Sequence, residues 1–357
     1  MQSTAKALKR VALRTLKAGA AFRLVGGSRW RRRRLLILCY HGISIEDEHE
    51  WNPALYMPPE QFERRMQALE RARCSVLPLE EALRRLCAND LPERAVAITF
   101  DDGLHDFQVR AYPILARHGY PATIYLTTYY CCYNKPNFHT ACGYIVWKGR
   151  DKVADLRGLI EWPGGMADLG SPQVRASVVA ALHRHAKQED LCGESRDELL
   201  RRLSERLGFD YQAFLAKRML HILNPGEVTE LASLGVDVQL HTHRHRMPAD
   251  KEQFAREIEE NRRLIQEFTG RFPSHFCYPS NVRQPGLLQW FPESSIVSAT
   301  TCDAGLASPR TDPLLLPRLV DTSSLGDIEF ESWLTGVAAL LPSRPPPATS
   351  DFAMPLG

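Results

Sequence analysis

Two adjacent carboxylates, Asp101 and Asp102, end the apolar run AVAITF at residues 95–100, and Gly103 follows at once. Further along, residues 241–245 read HTHRH, three histidines at alternate positions. Like charges side by side repel and are costly to desolvate, so a buried strand that ends on two of them needs a reason. One reason is structural, because Asp and Gly are common where a strand gives way to a turn. The other is chemical. One Asp and two His make an N/N/O donor set suited to Zn²⁺, with Co²⁺ or another first-row divalent ion as alternatives, and with positions left open for water. A cation on one carboxylate relieves the repulsion and leaves the other free to act as a base.

These groups converge only if the elements that carry them bring their ends together. LLILCYHG (35–42) reads as a buried strand ending on Tyr40-His41, AVAITFDD as a second, ATIYLTT (122–128) as a third, VDVQLHT (236–242) as a fourth and SHFCYP (274–279) as a fifth. SSIVSATT (294–301) and LLLPRL (314–319) are the last strand candidates. Between them lie helical periodicities: PPEQFERRMQALERAR, DFQVRAYPILARHG, NPGEVTELASLG, KEQFAREIEENRRLIQEFTG and DIEFESWLTGVAAL. Alternating strands and helices argue for a parallel sheet or barrel, in which chemistry collects at the C-terminal strand ends. The expected fold is therefore α/β, a distorted (β/α) barrel of seven or eight strands over residues 35–340. A helical insertion at about 129–222 is expected to form a cap that helps select substrate. Its aromatics, Tyr129, Tyr130, Tyr133, Phe138, Tyr144 and Trp147, read as core for the cap rather than as sugar-stacking rings.

The flanks differ in character. Eleven of the 45 Lys and Arg residues precede residue 35 and no acid occurs before Glu46, which with a net charge of +3 leaves the remainder at −8. Residues 1–34 read as a basic, partly amphipathic segment, either a solvated leader or a helix lying on an anionic membrane surface. Nucleic acid is not the expected partner, since nothing downstream interleaves aromatic and basic residues. No apolar run reaches the roughly 18–20 residues of a membrane span, and no secretory h-region follows the basic start. The nine cysteines are odd in number and form no C-x-x-C pair, which points to reduced thiols and a cytoplasmic location, with peripheral attachment to the inner membrane face as an option. The tail 341–357 is Pro-rich and reads as disordered.

TFDDG at 99–103 and HTHRH at 241–245 resemble the polysaccharide deacetylases of carbohydrate esterase family 4, with LLILCYHGIS, MPPEQFERRM and PILARHGYPATIYL as matching flanks. The resemblance covers roughly residues 35–320. It implies that Asp101 is the general base and that Asp102, His241 and His245 bind the metal, with His243 at a variable position. The implied reaction is hydrolysis of an N-acetyl group on an amino sugar, within a glycan or a lipid-linked precursor.

The sequence also departs from that family. Its R-x-P-[YF] motif aligns with FCYPSN by Pro279, which puts Cys277 in place of an arginine that steadies the base, and Ser280 in the aromatic position, where it would offer a backbone N–H to the oxyanion. No histidine follows His275, so the usual general acid is missing. His41, His105 and His243 are the replacement candidates, and Arg318 is a candidate partner for Asp101. Two alternatives stand beside the deacetylase: a glycan-binding protein that kept the metal site but lost turnover, and a metal-dependent hydrolase of another amide or ester.

Overall fold

The computed structural model describes residues 2–283 and 286–341. The chain divides into two compact units, one built from residues up to 129 and from 225 onward, the other from 130–224. The Pro-rich tail expected at 341–357 lies outside the described residues apart from Leu341.

The first unit is organised by seven parallel strands: β1 Leu36–Tyr40, β2 Ala95–Asp102, β3 Thr123–Leu126, β4 Asp237–Leu240, β5 His275–Cys277, β6 Ser298–Thr300 and β7 Leu319–Val320. They run in the order β6-β5-β4-β3-β2-β1-β7, with the short strand Ser75–Val76 added beside β2. Every residue of β1 and β2 is buried, which accounts for their unbroken apolar runs: helices cover one side and the other faces the barrel interior. The segment leading into β7 bonds back to β6, with Leu316 donating to Ala299 O and accepting from Thr301 N, each at 2.9 Å, and this closes the ring. The α/β barrel of seven to eight strands is the observed fold.

Register fixes which strand ends meet. Tyr40 lies opposite Phe100, Asp101 opposite Tyr125, Asp102 opposite Leu126, Leu126 opposite Leu240, and Cys277 opposite Thr300. Asp101-Asp102, His241 and Cys277 therefore leave the sheet at neighbouring places on one rim.

Residues 2–18 and 21–26 are helical and pack on the helix Asp327–Thr335. Leu13, Phe22 and Val337 form a small buried cluster there, and Lys9 and Lys17 pair with Glu329 and Glu331. Arg31 is fully buried, its guanidinium donating to the carbonyls of Leu334, Arg34 and Ala95. No helix among the described residues is long and apolar enough to cross a membrane.

The second unit contains the helices Phe138–Lys148, Pro172–Gln188, Gly193–Leu207 and Tyr211–Ala216, with an antiparallel pair Val153–Asp155 and Met166–Asp168. Tyr144 is fully buried and its ring stacks on those of Trp147 and Phe214, so this aromatic cluster is core. Tyr129 differs, being 47% exposed.

Candidate active site

Strand alternation would send Asp101 and Asp102 to opposite faces. A left-handed turn at Asp102, φ 71°, reverses the second side chain. Gly103 continues the turn at φ 78°, where an added Cβ would stand 2.3 Å from Leu126 Cδ1; only glycine fits here without displacing that side chain. Both carboxylates consequently reach His241: Asp101 and Asp102 each belong to a group of ligating atoms that includes it and lies within 4.8 Å.

The chain also turns within HTHRH. Strand β4 ends at Leu240, and Thr242 and His245 adopt φ of 60° and 55°. His241 and His245 meet with ring centroids 4.8 Å apart, their Nε2 atoms 3.3 and 3.1 Å from Asp102 Oδ1. His243 is carried the other way, where Nδ1 shares a hydrogen bond with Thr128 Oγ1 at 2.9 Å and Nε2 lies 3.5 Å from Glu260. Three alternate histidines share a face only on an extended strand, and positive φ at Thr242 removes that condition.

These residues fit a divalent cation. The three donors are buried, and neither Asp102 oxygen has a well-formed hydrogen bond. Tetrahedral ligands with bonds of about 2.0–2.1 Å stand about 3.3 Å apart, close to the separations observed here. His241 Nδ1 bonds Cys277 O at 2.9 Å, which fixes the ring and turns the Nε2 lone pair toward the site. Burial holds His245 below the ordinary histidine value, in the neutral form that ligation requires. Asn261, fully buried, pins the start of the turn: its Oδ1 accepts from His241 N, and its Nδ2 donates to Leu126 O and Thr128 Oγ1, each at 2.9 Å.

Asp101 is held differently. Arg318, fully buried, donates from Nη1 to Oδ1 and from Nη2 to Oδ2, both at 2.7 Å. The guanidinium is oriented in turn by Thr301 O at 2.9 Å and Thr99 Oγ1 at 3.0 Å. Burial alone would raise the Asp101 pKa, but the Arg318 charge and its paired hydrogen bonds hold that carboxyl well below the usual range. Asp101 thus stays ionised beside the metal donors.

His41 leaves the end of β1 with Nε2 3.9 Å from Asp101 Oδ2 and is 9% exposed. Ser280 lies in the turn after β5, partly exposed, at φ 52°. His105 is taken up by Glu227, Nδ1 to Oε1 3.1 Å. The geometry thus brings together Asp101, Asp102, His241, His245, His41 and Arg318, and directs His105 and His243 elsewhere.

Sequence reading passed over Thr99, Cys39, Cys302 and Asn261. Thr99 stands two residues before Asp101 on β2, and Cys39 two before His41 at the end of β1, so period-two alternation was the available signal. Asn261 and Cys302 carried none, because helical position and loop path place them.

The sequence profile of the polysaccharide deacetylase family matches this chain at residues 88–141 and 192–289, a span that includes Asp101, Asp102, His241, His245 and Ser280 but neither His41 nor Arg318. The matched stretches make up less than half of the chain and contain both motifs that carry the resemblance. It is 37% identical over 94 residues to a Bacillus subtilis (strain 168) protein named putative polysaccharide deacetylase YxkH, a match spanning 26% of this chain and 32% of that one. Among solved structures it resembles the Streptococcus pyogenes deacetylase PplD in complex with acetate (TM-score 0.54, 19% identity, 87% of this chain and 99% of that one). It also resembles IcaB from Ammonifex degensii (TM-score 0.53, 15% identity, 85% and 97%). At these identities the likeness is one of fold.

Proposed function

We propose that this protein is a metal-dependent hydrolase that removes N-acetyl groups from an amino sugar in a polysaccharide, an oligosaccharide or a lipid-linked glycan precursor. One observation carries the reading: a buried Asp102–His241–His245 donor set lies beside a second carboxylate, Asp101, kept ionised by Arg318. A divalent ion, with Zn²⁺ preferred for an N/N/O set, supplies Lewis-acid polarisation of the amide carbonyl and a bound water of lowered pKa. Asp101 accepts the proton of the attacking water. His41 is the proton donor to the departing amine, because among the histidine candidates its ring alone stands beside the base. Ser280 offers a backbone N–H to the oxyanion.

The decisive experiment measures acetate release from N-acetylated glycans and lipid-linked sugars with zinc-loaded wild type and Asp101→Asn. Release that falls by about 10²–10⁴-fold in the variant, with metal content unchanged, establishes Asp101 as base. Stoichiometric metal with no acetate from either protein favours a glycan-binding role.

We propose further that the protein works in the cytoplasm, in peripheral contact with the inner membrane face. Leu8 and Val11, 67% and 59% exposed, share a face of the first helix opposite Leu13, with Arg14 beside them. Sedimentation with anionic but not neutral vesicles, lost on Leu8→Asp, supports this contact; equal sedimentation with both vesicles, or none, rejects it.

A further inference from the structure

We propose that Cys302 and Cys39 form a peroxide-reactive modification site that shuts down the base, with Cys302 as the thiol attacked and Cys39 as the thiol that resolves it. The consequence for turnover rests on Asp101 being the base, as argued above; the modification itself does not.

Three thiols from separate elements crowd the Asp101–Arg318 pair. Cys39 Sγ, on β1, lies 3.5 Å from Asp101 Oδ2, and Cys277 Sγ, at the end of β5, lies 3.4 Å from the same oxygen. Cys277 Sγ and Cys302 Sγ, the latter just past β6, lie 3.0 and 3.6 Å from Arg318 Nη2. Packing alone does not account for this arrangement. A buried free cysteine serves elsewhere as a small apolar residue, whereas these sulfurs surround a buried ion pair. All nine cysteines are free, and of these three Cys302 alone is partly exposed, while Cys39 and Cys277 are buried.

The surroundings of Cys302 favour its thiolate. The Cys39 thiol donates a hydrogen bond to its sulfur and the Arg318 cation lies alongside, which together bring Cys302 down to about 6 against the effect of burial. Burial pushes Cys277 up to about 11 and Cys39 also upward, so neither competes as nucleophile. The attacking thiolate and its proton-bearing neighbour therefore meet at the one partly exposed thiol of the three.

The chemistry balances with a peroxide as oxidant. The Cys302 thiolate attacks the O–O bond; an S–O bond forms, the O–O bond breaks and hydroxide leaves, giving the sulfenic acid. Cys39 sulfur then attacks the sulfenic sulfur; the S–S bond forms, the S–O bond breaks and water leaves with the thiol proton. Two thiols lose two electrons, and one peroxide becomes two waters. Drawing Cys39 onto Cys302 takes its sulfur away from Asp101 Oδ2, now 3.5 Å off, and pulls on the strand end that leads to His41, two residues on.

The test treats the zinc-loaded full chain with graded hydrogen peroxide, traps remaining thiols by alkylation, and maps peptides without reduction while acetate release is followed in parallel. We expect a Cys39–Cys302 cross-linked peptide, lacking two hydrogens, that accumulates in step with a loss of about ten-fold or more in release, both reversed by dithiothreitol. Cys39→Ser should give no cross-link and leave Cys302 as a sulfenic acid captured by dimedone. Oxidation confined to the exposed Cys87, Cys132 and Cys192 overturns the proposal, as does a Cys39–Cys302 link that leaves release unchanged. A preparation with no release before peroxide is added counts against the deacetylase reading alone, because the peptide map still decides whether the link forms.

Discussion

Arg318 clasps Asp101 through two parallel hydrogen bonds of 2.7 Å across a sequence separation of 217 residues, and both side chains are shut away from solvent. The guanidinium enters just before β7, and its Nη2 lies 3.0 Å from the sulfur of Cys277, the residue that the resemblance puts in place of an arginine. A planar fork matched to a carboxylate fixes Asp101 in orientation as well as charge.

Replacing Arg318 by Met should therefore change the pH behaviour of the protein. Asp101 has a folded-state pKa below its unfolded value of about 4. Its contribution to stability is present above that value and is lost as pH falls toward the folded pKa. In Arg318→Met the unpaired, buried carboxyl binds its proton more tightly, so at pH 7 the variant should be about 3–5 kcal/mol less stable. The gap should narrow as pH falls, first as the variant's buried carboxyl takes up its proton and then, below about pH 4, as the unfolded wild-type chain binds a proton that the folded state does not. Urea unfolding of both proteins across this range checks the expectation, and the acid limb of acetate release should move to higher pH in the variant. An unshifted limb would separate Arg318 from base control.

Chelation with loss of acetate release, restored by zinc, is expected of wild type. His241→Ala and His245→Ala should each retain less than stoichiometric zinc after dialysis, because each removes one of three protein donors. His243→Ala should keep the metal, since its ring is bonded to Thr128 instead. Metal content measured by atomic emission distinguishes the three variants without reference to substrate.

Asn261→Ala should weaken the site without touching a ligand. It leaves His241 N, Leu126 O and Thr128 Oγ1 without their buried partner, at a cost of about 1–3 kcal/mol. Zinc affinity should drop by about 10–100-fold, as for other losses behind a ligand. Zinc competition titration beside thermal unfolding reads both effects, and equal affinity with reduced stability would assign Asn261 to folding alone.

His41→Gln tests the proton donor by its dependence on the leaving group. An amine needs a proton to depart, whereas a nitrophenolate does not, so the variant should lose about 10²–10⁴-fold on an N-acetyl sugar and far less on a nitrophenyl acetate ester. Equal losses on both would point to a role in positioning Asp101, from which His41 Nε2 stands 3.9 Å away.

What the sequence determined by itself was local. The largely apolar runs LILCY and AVAITF, the stop at Asp101-Asp102-Gly103 and the helical periodicities between strands were legible because period, propensity and turn chemistry act over a few residues. Given a parallel barrel, the strand ends then announced Asp102, His241, His245 and His41 as one neighbourhood. Tertiary structure decided the rest. Whether His243 joined its neighbours depended on the sign of one φ angle at Thr242, and alternation along a strand could not report it. The docking of the N-terminal helices on Asp327–Thr335 joins segments more than 300 residues apart. That Arg318, Cys39 and Cys277 share one carboxylate, with Cys302 against Arg318, follows from strand register and ring closure, which set which side chains meet across the barrel. Such contacts are fixed by the packing of the whole sheet, and no short stretch of chain encodes them.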